Sequence, residues 1–69
     1  MITRIGLVAG DIWNYLDNNH NQETMENLIT ALGKDRSYVL MSIGWLAREG
    51  HVTLEGDGPN FVVKLAKPI

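Results

Sequence analysis

The sequence predicts an α+β domain in which three helices are followed by a two-stranded β-hairpin, and three observations carry that prediction. Apolar residues recur at helical spacing through most of residues 4–50, and after Gly50 the period changes to two. Polar or glycine-containing stretches at 17–22, 33–34 and 56–60 interrupt the pattern where the chain has to turn. The chain has 69 residues and no cysteine, which is one domain's length with a core that is marginal by itself.

Thr3 is positioned to cap a first helix running to about Asn18. At about 100° per residue, Ile5, Val8, Ala9, Ile12, Trp13, Tyr15 and Leu16 share one side, with Asp11, Asn14, Asp17 and Asn18 opposite. Leu7 falls on the polar side, where nothing within the helix accounts for it. Gly6 and Gly10 are surface neighbours one turn apart, each costing roughly 1 kcal/mol relative to alanine. Close approach of another backbone would justify them; a merely tolerated pair is the plainer reading.

Residues 17–22 form a polar turn in which Asp17, Asn19 and Asn21 copy the opening spacing of a calcium loop. Gln22 stands where that loop requires glycine and Leu28 where it requires an acidic ligand, so calcium is rejected. Glu23-Thr24 can add a short strand, after which Thr24 caps a second helix through Leu32. Leu28, Ile29 and Leu32 are its buried stripe, and Gly33 ends it.

A tight turn of little more than Gly33-Lys34 leads to a third helix capped by Asp35, whose carboxylate can accept first-turn N–H groups. Val39, Ile43, Leu46 and Ala47 form one apolar stripe, Arg48 complements the dipole in the last turn, and Gly50 is placed for a left-handed stop. Beyond it Val52 and Leu54 alternate with Thr53 and Glu55, and Phe61, Val63 and Leu65 with Val62 and Lys64. Gly56-Asp57-Gly58-Pro59-Asn60 closes the hairpin. Residues 1–66 make the domain, and Lys67-Pro68-Ile69 are a loose tail.

Helix, optional short strand, helix, helix, hairpin is the order of a winged helix-turn-helix, with the hairpin as its wing. The segment Ser42-Ile43-Gly44-Trp45-Leu46-Ala47-Arg48-Glu49-Gly50-His51-Val52 resembles the signature of a small prokaryotic winged-helix family of unknown function. Its members are about this long, begin with an Ile-Gly-containing helix and carry a similar Gly-Trp-Leu-Ala-Arg-Glu segment. The resemblance covers nearly the whole chain, with that segment its distinctive part. It implies the fold and a regulator-like ancestry, and brings no established activity.

DNA-binding winged helices direct polar and basic residues outward from the third helix. Here Val39, Ile43 and Leu46 face inward, which turns Leu40, Met41, Ser42, Gly44 and Trp45 outward or to the flanks. No Arg, Asn or Gln lies between Tyr38 and Ala47 to read a base edge, and the wing tip carries Glu55 and Asp57. Leu40, Met41, Gly44 and Trp45 therefore predict a protein interface, used by a homodimer or for a protein partner. The intramolecular alternative folds Trp45 over the hairpin and Leu40 under the first helix.

The second functional reading is a DNA-binding regulator acting as a dimer. Its contacts would be Lys34, Arg36, Ser37 and Tyr38 at the helix N-terminus, with Ser42, Arg48 and Lys64. Charge argues against it: the net −2 divides into −3 over residues 1–33 and +1 over residues 34–69.

His20 and His51 are isolated, and there is neither a glycine-rich phosphate loop nor a nucleophile–base constellation. The sequence thus predicts no catalytic residue, metal, cofactor or small-molecule ligand. No apolar run approaches the roughly 20 residues that span a bilayer, and no basic-then-apolar leader is present. A soluble, cytoplasmic protein is expected.

Overall fold

The structure, a computed structural model, describes residues 4–56 and 58–66. The expected Thr3 cap, Asp57 of the wing tip and the tail at 67–69 lie outside the described residues.

The first helix, α1, spans Arg4–Asn18 and buries Val8, Ala9, Ile12 and Leu16, with Ile5 and Tyr15 half-buried. It is stopped by the Asn21 N–H, which donates back to the Leu16 carbonyl at 2.8 Å. His20 and Asn21 both take left-handed backbone there, at φ 66° and 67°. Asparagine and histidine are among the few non-glycine residues that visit this region often.

A three-residue strand, β1 (Gln22–Thr24), leads straight into α2 (Met25–Leu32). Thr24 caps α2 as expected, its hydroxyl accepting the Asn27 N–H at 3.3 Å. The buried stripe is displaced from the expected one: Met25 and Leu28 are buried, whereas Ile29 and Leu32 are half-buried. The cause is the sheet, since the Met25 N–H donates to the Phe61 carbonyl at 2.9 Å and pulls the first turn inward. Gly33, at φ 63°, closes the helix by donating to the Ile29 carbonyl.

Asp35 caps α3 (Arg36–Arg48), accepting the Ser37 N–H at 2.8 Å. Val39, Ile43 and Leu46 are buried against α1, α2 and the sheet, and Gly50 at φ 80° turns the chain into the wing. There β2 (Val52–Glu55) and β3 (Val62–Leu65) pair antiparallel, with Thr53 opposite Lys64 and Leu54 opposite Val63.

The short strand that the sequence leaves optional is a full member of the sheet. β1 pairs antiparallel with β3, giving the order β1-β3-β2 with β3 in the middle. Leu54 departs from the expected alternation and is 45% exposed. Its neighbour Val63 lies on the central strand beneath the helices, whereas Leu54 on the edge strand extends past their cover.

Two polar clusters fasten these layers. Glu23 of β1 accepts the Tyr15 hydroxyl of α1 on one oxygen at 3.0 Å, and the Thr24 N–H and Asn27 side-chain amide on the other, both at 3.1 Å. The Asn27 and Thr24 bonds, with Tyr15, hold the Glu23 carboxyl below its usual range against the opposing effect of burial. From the wing, the Asn60 side-chain oxygen accepts the Glu26 N–H at 2.9 Å and so ties the loop to the start of α2.

Candidate functional site

Ser37, Met41, Gly44 and Arg48 form the outermost line of α3, flanked on one side by Leu40 and on the other by Trp45. Met41 is 48% and Trp45 46% exposed, and Leu40 lies at the rim. Trp45 does not fold away over the hairpin. Its ring stands 6.3 Å from that of His51, tilted by 35°, and its remaining surface is open.

On the α1 side Trp45 forms one wall of a shallow groove of about 250 Å³. Gly6, Ala9, Gly10 and Trp13 of α1 line it too, with Leu46 and His51. The helical pattern assigns Trp13 to the core, yet it is 38% exposed. It lies about 100° round the helix from Ile12, at the edge of the buried stripe, so its ring reaches the rim. A Cβ placed on Gly10 would meet nothing within 4 Å, and the same is true of Gly44. Among the described residues, no backbone makes use of the space left at either glycine.

The residues expected to meet DNA are distributed differently. Ser42, placed outward or on a flank by the sequence pattern and expected to contact DNA, is fully buried, and its hydroxyl donates to the Ile5 carbonyl at 3.0 Å. Its flank of α3 is the one α1 crosses, which removes Ser42 from any external ligand. Arg36 is engaged by Glu26 in a two-pronged pair at 3.0 and 2.7 Å. That contact holds the Glu26 carboxyl below its usual range and raises the Arg36 guanidinium further.

Lys34 lies 3.6 Å from Asp11, and Lys64 lies 3.2 Å from Glu55. Tyr38 is half-buried under the Arg4 guanidinium, whose central carbon is 5.9 Å from the ring centroid. Ser37 and Arg48 are exposed, and Arg48 has no ion pair among the described residues. The apolar set Leu40, Met41, Gly44 and Trp45 is exposed along α3, whereas the polar set is dispersed, apart from Lys34 and Tyr38, which line one cleft.

This order of elements, with β1 joining the wing, is matched by a family profile for a winged helix-turn-helix domain (DUF2582) over residues 1–65. The chain belongs to that family. An uncharacterized protein of Methanocaldococcus jannaschii is 33% identical over 63 residues, 90% of each chain. Among solved structures, one described for the DNA recognition and protein interaction domains of HOP2 superposes with a TM-score of 0.76. It covers 84% of this chain and 97% of its own at 19% identity, which speaks for the fold.

Members of the groove that sequence reasoning leaves out are Trp13 and His51. The glycine pair Gly6 and Gly10 on α1 is the available signal, and at Gly10 an added Cβ would meet nothing within 4 Å. Among the described residues no group of three or more His, Asp or Glu is placed to hold a metal, and no helix is long and apolar enough to cross a membrane.

Proposed function

We propose that this winged helix is a non-enzymatic interaction module that associates with a second copy of itself through the α1–α3 face. The observation that carries the reading is the groove itself. Trp13 and Trp45 line it together with Gly6 and Gly10, and Met41 and Gly44 are exposed next to Trp45 on the outer side of α3. A two-fold axis across this face would set one copy's tryptophan on the other's glycine, a self-complementary contact. Aromatic residues and methionine are the types enriched in such contacts.

Size favours a second copy as the occupant. A domain of this length buries only about 60% of its unfolded surface, and this one has no disulfide to offset that. Association is the common remaining source of buried area. The DNA-binding reading has the weaker support, because Arg36 and Lys64 are paired with carboxylates and Ser42 is inside.

Light scattering on the wild type and on Trp45→Ala tests the proposal. The wild type is expected to gain mass with concentration and the variant to stay monomeric while remaining helical. A wild type that is monomeric throughout the micromolar range would remove the self-association reading.

A further inference from the structure

A second cleft, of about 400 Å³, lies where the start of α1 meets the turn into α3. It shares no lining residue with the tryptophan groove, so the two are separate sites. Arg4, Leu7 and Val8 form one wall and Lys34, Asp35 and Tyr38 the other. We propose that this cleft binds a small organic anion, a carboxylate or phosphate carried on an apolar, preferably aromatic, body.

Three features point to that chemistry. Leu7 is 59% exposed, more than any other large apolar residue described, and it is the residue that α1 has no internal reason to carry. In the cleft it faces a ligand's body together with Val8 and the Tyr38 ring. Arg4 has no carboxylate partner among the described residues and rests on the Tyr38 face, which leaves its N–H groups free for an anion.

Lys34 brings a second cation from the opposite wall. Its 3.6 Å pair with Asp11 is long and half-exposed, so an anion in the cleft can compete for it. Asp35 is the one acidic residue among those lining the cleft, and its carboxylate accepts the Ser37 N–H at the α3 cap. The volume is within the range of ligand pockets, and apolar walls with two convergent cations suit an amphiphilic anion better than a bare phosphate.

The test is an NMR titration of the full chain with 2-naphthoate, following the Leu7 and Val8 methyl groups and the Tyr38 ring. Saturable shifts confined to these signals are expected, and Arg4→Gln and Leu7→Ser should each weaken binding by about tenfold or more. Arg48→Gln, a change at an exposed cation outside the cleft, should leave affinity unaltered. Because Arg4 and Leu7 are exposed, both variants should keep the wild-type circular dichroism spectrum.

Uncharged 2-naphthylmethanol and inorganic phosphate form the control arms, each expected to bind at least about tenfold more weakly. Equal binding of the alcohol would reduce the cleft to an apolar crevice, and equal binding of phosphate would reduce it to a bare anion site. Either result overturns the proposal, as does the absence of saturable shifts. Duplex DNA that shifts the same signals, and loses affinity in Arg4→Gln, would reassign these cations to a nucleic-acid backbone.

Discussion

The Ser42 hydroxyl lies where α3 crosses α1 and spends its proton on the Ile5 carbonyl. Ser42→Ala removes that bond without leaving a large void, so a loss of about 1 kcal/mol is expected, lowering Tm by about 4–8 °C. A thermal melt checks it; an unchanged Tm would mean that the bond adds nothing to the crossing. Glu23 makes a pH prediction. Its folded carboxyl is held below the ordinary value of 4.5, so its contribution is present above that value and is lost as pH falls through the lower, folded one. Acid titration of stability should therefore show a loss beginning near pH 4.5 that is diminished in Glu23→Gln. Ser42 also shows where single-sequence reasoning stops at this scale. Periodicity puts it on a flank, and whether a flank is covered depends on which helix crosses there, information the local pattern does not hold.

Elements are more legible than residues, because their ends are fixed by local chemistry. Thr24 and Asp35 accept first-turn N–H groups, Gly33 and Gly50 take left-handed stops, and all four are readable from residue type and position. Which face of each element is covered is harder to read. Leu54 and Trp13 follow the apolar pattern yet lie at the edge of the sheet and of the α1 stripe, beyond the neighbours that would bury them. The helical glycines supply a prediction whose two halves have opposite sign. A Cβ at Gly10 or Gly44 meets nothing within 4 Å, so Gly10→Ala and Gly44→Ala should each stabilise the isolated fold by up to about 1 kcal/mol. The same methyl groups should weaken association, because they occupy the space a partner needs. Denaturant unfolding and a concentration series on the same samples separate the two effects. A variant both more stable and equally associated would place the glycines outside any interface.

At the scale of the whole molecule the chain is a winged helix in which most described cations are turned on carboxylates. Three of its described cations are in ion pairs, and the net charge is −2. Phosphate contacts give an affinity that falls steeply with salt, so a duplex DNA titration discriminates cheaply. No binding is expected at about 50 mM salt; a salt-dependent complex there would restore the regulator reading. What covers the α1–α3 face is answered most directly by sedimentation equilibrium on wild type and Trp45→Ala across the micromolar range. The wild type should rise from the monomer mass of 7.7 kDa toward twice that value, while Trp45→Ala, having lost an anchor of about 2 kcal/mol or more, stays at the monomer mass and remains helical. A wild type fixed at the monomer mass, or a variant that associates as strongly, would contradict self-association through this face.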